Sequence, residues 1–169
     1  MKIILMMAMT ADGKIAKTSD HFPDWTSKED KKYFFETTKN HGAVLMGEKT
    51  FKTFPKPLSD RLNVVFTLEK YPPETENVKW VTGEVEKVLE ELEKMGYKSA
   101  VLGGGAYLNT QFLKKKLINE IWLTIEPKIF GDGLGIFGGD FDQDLKLISV
   151  KKINEDSVMV KYRVVNSRP

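Results

Sequence analysis

The stretch AVLGGGAYL, Ala100 to Leu108, decides the fold: a short apolar run meets three consecutive glycines and then the start of a helical pattern. A strand that runs into glycines and on into a helix directs free backbone N–H groups, and the positive end of the helix dipole, at whatever lies above the turn. Gly103, Gly104 and Gly105 carry no Cβ, so a ligand can approach the main chain closely there. The pattern is neither the G-x-G-x-x-G of a dinucleotide fold nor a phosphate loop ending in G-K-[ST], and a glycine triplet also serves as a plain tight turn. On this stretch alone both readings stay open.

The same punctuation occurs once earlier, where the apolar strand Ala43 to Met46 is followed by Gly47 and a short helix from Glu48 to about Thr53. Further out, Ile3 to Met9 suits a strand buried on both faces, and Thr10 to Trp25 is a connection long enough to be functional. Thr26 and Ser27 ahead of Glu29 and Asp30 make a capping-box pattern, which starts a helix running to about Asn40 with Tyr33, Phe34 and Thr37 toward one side. Beyond the proline-rich PKPLSD, strands are expected at Leu62 to Thr67 and Val78 to Thr82, with the YPPETEN turn region, 71–77, between them. Glu84 to Met95 reads as a helix with Val85, Val88, Leu89 and Leu92 on one face and Gly96 at its end. Ser99 to Leu102 leads into the glycines, Ala106 to about Lys116 is the next helix, and Glu120 to Glu126 alternates as a strand. The glycine-rich FGDGLGIFGGDF, 130–141, then leads to two final strands, Leu145 to Ile153 and Ser157 to Val165, joined by a tight turn at NEDS.

These segments predict an α/β fold: a three-layer arrangement of about eight strands and four helices, with a mixed sheet that is parallel early and antiparallel at the end. One domain over residues 1–169 is the expectation from length. Ligands of such sheets bind outside the carboxyl ends of the strands. The long first loop, Gly47 and the triple glycine all follow strand ends, so they are expected to converge on one cleft.

Composition narrows the partners. With 26 basic and 24 acidic side chains and a net charge of +2, the chain lacks the basic excess of a dedicated nucleic-acid or membrane-surface binder. Zero cysteines and two histidines leave no thiolate chemistry and no bound metal is expected. The opening MKIILMMAMTADGK reads as a buried strand rather than a signal peptide, and no stretch is long enough to cross a bilayer, so a cytoplasmic protein is expected. Phe130, Ile136, Phe137 and Phe141 make the glycine-rich loop more apolar than an exposed loop, and a homodimer contact is expected there.

Taken in order, the loop ending in Trp25 followed by Asp30 and Phe34, VLMGEKTF from Val44, KPLSDRLN from Lys56, VLGGGAYLNTQFL from Val101 and IWLTIEP from Ile121 resemble the dihydrofolate reductase family. The wider superfamily includes the reductase domain of riboflavin biosynthesis, and the resemblance covers nearly the whole chain. It implies hydride transfer from NADPH to the C=N bond of 7,8-dihydrofolate, giving tetrahydrofolate for one-carbon metabolism. Asp30 is then the carboxyl that assists protonation, Thr124 the threonine beside it, and Trp25 the third catalytic position. Met7, Ala8, Phe34 and Leu58 contact the pterin, and Arg61 clamps a carboxylate of the folate tail. The cofactor falls to Ala8, Ile15, Gly47, Lys49, Thr50, Thr67, Leu102, Gly103, Gly104, Gly105, Ala106 and Tyr107.

Each of these residues also has an ordinary meaning without the resemblance: Asp30 as a helix cap, Thr124 as a β-branched strand residue, Arg61 as a solvated arginine at a loop end. Glu48 and Ala106 stand where the family often places basic residues near the adenosine 2′-phosphate, which leaves NADH open beside NADPH. TADGKIA and the LINEIWLTIEPKIFGDG region lean toward the riboflavin branch, whose substrate is a ribosylaminopyrimidine phosphate, whereas PLSDRLN, Thr124 and the spacing from Trp25 to Asp30 lean toward the folate branch. A catalytically silent nucleotide-binding module is the third reading.

Overall fold

The computed structural model of the chain describes residues 1–68 and 75–165; the expected turn region 71–77 lies partly outside the described residues. Apolar runs become the middle of the sheet. β1 (Lys2–Thr10) has Ile3, Ile4, Leu5 and Met6 buried on both faces, as a strand covered by helices on each side requires. β3 (Ala43–Gly47) and β6 (Ser99–Leu102) are equally apolar and equally covered.

With β4 (Leu62–Phe66), β5 (Val78–Val81), β7 (Glu120–Glu126), β9 (Leu145–Lys152) and β10 (Val158–Val164), these strands form one eight-stranded sheet in the order β5-β4-β3-β6-β1-β7-β10-β9. Every pair from β5 to β7 is parallel, and β10 runs antiparallel to both β7 and β9. Four helices lie among the described residues: α1 (Lys28–His41), α2 (Glu48–Phe51), α3 (Val85–Lys94) and α4 (Ala106–Lys114). α2 and α4 end a turn or less short of the expected Thr53 and Lys116.

The two sheet faces hold separate cores. On one, Val85, Val88, Leu89 and Leu92 of α3 and Leu108, Phe112 and Leu113 of α4 meet Ile3, Leu5, Leu45 and Leu102. On the other, Phe34 of α1 packs on two smaller clusters, around Val44 and Met46 and around Met6 and Val101. Each fully buried side chain such as Phe112 contributes about 1.5–3 kcal/mol of transfer free energy, so these faces fix the layers. No helix is long and apolar enough to cross a membrane among the described residues.

Two segments read as loops are strands. β2 (Lys14–Ala16) and β8 (Leu134–Gly135) pair antiparallel in a ribbon that folds the glycine-rich loop back over the first connection. At three and two residues they are too short to show a period, and tertiary contacts make them instead. Gly133 comes so close to β2 that a Cβ there would lie 2.7 Å from the Ala16 carbonyl oxygen. The Asp12 carboxylate accepts from Gly131 N at 2.8 Å and from Phe130 N at 3.2 Å, and its hydrogen bond from Thr10 holds its pKa below the usual carboxylate range.

The apolar side chains of the glycine-rich loop are largely covered within the chain. Ile136 and Phe137 pack on the main core, and Phe130 meets Trp25 and His21 edge-on at 5.0 and 5.3 Å, leaving Phe141 37% exposed. Exposed apolar residues gather instead on the outer strand β9, at Leu145, Leu147, Ile148 and Val150.

Candidate active site

Parallel strands put their carboxyl ends along one edge, and at that edge lies a cavity of about 1020 Å³. The ends of β1 (Met7, Ala8), β3 (Gly47), β4 (Phe66, Thr67) and β6 (Gly103) open into it, with Trp25 and Ile15 from the first connection and Asp30 and Phe34 from α1. Glu48, Lys49 and Thr50 of α2 and Ala106 and Tyr107 of α4 complete that wall.

The glycine triplet forms a close crossing between β3 and β6. Gly103 N donates to Leu45 O and Gly47 N donates to Gly104 O, both at 2.8 Å. Gly104 has φ +98, which only glycine adopts without strain, and a Cβ there would sit 3.1 Å from the Met7 sulfur. A Cβ on Gly103 would sit 3.2 Å from Phe34 Cζ. Gly105 is the N-cap of α4, whose first N–H groups have no acceptor inside the helix. Bare main chain, a helix N-terminus and room for a long ligand suit the pyrophosphate of a nicotinamide dinucleotide, so the residues present fit such a cofactor.

Ser27 caps α1, its Oγ accepting from Asp30 N at 3.2 Å. The reciprocal half of a capping box is absent, because Ser27 N donates to Glu126 Oε1 at 2.8 Å. The Asp30 carboxyl is therefore not used as a cap and lines the cavity, with the residue 8% exposed. Burial raises its pKa above the usual carboxylate range, Thr124 pulls the other way, and the Glu126 charge adds to the rise. The Thr124 hydroxyl is itself buried and makes no hydrogen bond of ordinary geometry among the described residues, so it sits near the carboxyl without being locked to it. The Trp25 indole N–H is also buried and unpartnered among the described residues.

Not every expected residue reaches the cavity. Leu58 and Leu102 are core side chains, and Gly104 and Thr124 stand one layer behind the wall. Arg61 points away: its Nε donates to Ser59 O at 2.8 Å, and its Nη1 to Phe35 O at 2.7 Å and to the Thr38 hydroxyl. Buried to 8% exposure, it ties the end of the PLSD loop to α1, and burial lowers its pKa.

Other residues took on roles that the sequence did not announce. Glu48 accepts from Thr67 Oγ1 at 2.6 Å and pairs with Lys52 at 2.5 Å, which together hold its carboxyl below the usual range. Phe130 backs Trp25. Glu126 closes the start of α1; its place two residues after Thr124, on the same strand face, was the available signal.

The model of one protein family, described as the RibD C-terminal domain, matches residues 1–159. A dihydrofolate reductase of Ureaplasma parvum serovar 3 is 36% identical over 91 residues, 53% of this chain and 56% of that protein. RibD of Acinetobacter baumannii superposes with a TM-score of 0.85 at 18% identity, over 98% of this chain and 58% of that one. Dihydrofolate reductase from Enterococcus faecalis, complexed with NADP(H) and RAB-propyl, superposes with a TM-score of 0.72 at 21% identity, over 98% and 97%. The chain thus spans somewhat over half the length of the first two.

Proposed function

From the premise that the chain belongs to the RibD C-terminal domain family, a reductase domain of the dihydrofolate-reductase type, we propose that it reduces 7,8-dihydrofolate to tetrahydrofolate with NADPH. One observation carries the choice of chemistry: a single buried carboxyl with a raised pKa, Asp30, faces an apolar cavity beside Thr124 and Trp25. Gly47 and Gly103 to Gly105 would hold the cofactor, which when bound would supply the hydride. The chain's own part is to bind, orient and protonate. Met7, Ala8 and Phe34 line the space for a flat ring, with Ile15 and the β2–β8 ribbon covering one side against water. Asp30 keeps a proton on its carboxyl at pH values where an exposed aspartate would have lost it, which suits delivery to an imine nitrogen.

Arg61 favours a second reading. With Nε and Nη1 engaged by Ser59, Phe35 and Thr38, its guanidinium is a poor clamp for a folate tail, which supports a substrate without one, a ribosylaminopyrimidine phosphate. Lys31, exposed at the cavity lip beside Asp30, offers a charge for that phosphate. NADPH oxidation followed spectrophotometrically with each substrate separates the two. The leading reading expects turnover with dihydrofolate; a folded protein that turns over only the pyrimidine, or neither, overturns it. A soluble homodimer is part of the same proposal, checked by sedimentation at micromolar concentration.

A further inference from the structure

Behind the cavity-facing carboxyl stands a second one. Glu126, the last residue of β7, is 3% exposed and accepts three hydrogen bonds. Ser27 N and Ser27 Oγ reach its Oε1 at 2.8 and 2.7 Å, and Ser157 Oγ reaches its Oε2 at 2.6 Å. Ser27 Oγ in turn accepts from Asp30 N at 3.2 Å, so one chain of bonds runs from the β9–β10 turn through β7 into the first turn of α1. Thr124, beside the Asp30 carboxyl, lies on the same face of β7 as Glu126.

Helix capping alone does not need this carboxylate. A serine N-cap is sufficient by itself, and Asp30 stands at the N3 position from which an acid commonly returns to the N-cap N–H. Burying a carboxyl group is costly unless it is hydrogen-bonded, and Glu126 accepts three hydrogen bonds. What Glu126 does is take the one N–H that would otherwise draw Asp30 back onto its own helix.

We propose that Glu126 is a positioning residue for the reaction, anchoring the start of α1 on β7 so that Asp30 presents its carboxyl to the substrate instead of capping the helix. The inference rests on Asp30 being the acid of the proposed reduction. The Glu126 charge acts on Asp30 as well, adding to the rise from burial, while the neighbouring Thr124 and Thr26 hydroxyls and the Lys31 charge oppose it. On the far side of Trp25, a cavity of about 350 Å³ brings Glu29, Lys128, Glu155 and Asp156 around Glu126.

Glu126→Leu keeps much of the size and leaves Ser27 N, Ser27 Oγ and Ser157 Oγ without this acceptor, so that Ser27 N is free to draw on the Asp30 carboxyl. Carbon-13 NMR of aspartate-labelled protein, with the Asp30 signal assigned by its loss in Asp30→Asn, reads the Asp30 titration directly. The midpoint is expected to move to lower pH in Glu126→Leu, and turnover at neutral pH to fall at least about threefold, the scale of coupling between residues in contact. A lower Tm with an unmoved Asp30 midpoint and an unmoved pH profile overturns the proposal, because that is what a structural carboxylate would give. Should Glu126→Leu not fold, Ser157→Ala removes one bond to Glu126: a lower kcat with unchanged cofactor affinity supports the proposal, and unchanged kcat overturns it. The NMR midpoint needs no turnover, so failure of the reductase reading and failure of this one give different results.

Discussion

Asp30 combines two properties that conflict for stability and agree for catalysis: it is buried, and its carboxyl is not used by the helix it stands on. Because burial raises its folded pKa, Asp30 holds its proton more tightly folded than unfolded. Its stabilising contribution is therefore complete below the ordinary aspartate value of 3.8 and is lost as pH rises through the raised folded value. At neutral pH Asp30→Asn is expected to raise stability, on the order of 1 kcal/mol, while lowering turnover about 10²–10⁴-fold. Thermal denaturation at neutral and acid pH checks the first half, since the gain should shrink in acid; a variant that loses stability at neutral pH counts against the assignment. Glu48 poses the cofactor question in the same terms. Ionised and bonded to Thr67 and Lys52, it stands where the resemblance puts the adenosine 2′-phosphate. Replacing it by Gln removes a like charge worth about 1 kcal/mol at close range, so KM for NADPH should fall about fivefold while KM for NADH stays. Equal changes for both cofactors would place Glu48 away from the phosphate.

At the scale of elements, the β3–β6 crossing is the part of the site most sensitive to a single methyl group. Gly104→Ala combines a left-handed backbone with a Cβ 3.1 Å from Met7, and is expected to cost about 1–2 kcal/mol from the backbone alone. It should also weaken NADPH binding measured by calorimetry; undiminished affinity would show that the cofactor does not rest on this turn. Elements that carry their own period were readable in advance: β1, β3 and β6 as unbroken apolar runs, α3 from its spaced valines and leucines. The β2–β8 ribbon was not, because its pairing is made by Asp12 and Gly133 across more than a hundred residues of chain rather than by any local pattern. Glu126 was hidden for a similar reason. A glutamate at the end of an alternating strand reads as solvent-facing, and only the arrival of Ser27 and Ser157 makes it an interior acceptor. Arg61 shows the converse: PLSDR marked the position, but the direction of the guanidinium depends on α1 carbonyl groups that no motif encodes.

For the whole molecule, an eight-stranded sheet with one ligand edge explains why the fold was legible and the substrate was not. The order of apolar strands and amphipathic helices fixes the sheet, and the sheet fixes which loops meet, but that frame does not by itself select between the two proposed substrate classes. That choice can be measured as linkage. Ligands that bind only the folded chain stabilise it by about 2.7 kcal/mol at a hundredfold excess over Kd. For a domain of this size that is roughly 5–10 °C in Tm. NADPH alone should give this shift whether the protein is an enzyme or a silent nucleotide-binding module. Oxidised NADP⁺, which permits no turnover, separates the cases when a second ligand is added. Dihydrofolate should raise Tm further in its presence if the cavity beside Asp30 and Phe34 takes a pterin. A further rise with the ribosylaminopyrimidine phosphate alone would assign the cavity to the second substrate class, and no further rise with either would leave a binding module. The same titration in Asp30→Asn supplies the control, since losing the carboxyl that faces the cavity should reduce the second increment while leaving the first.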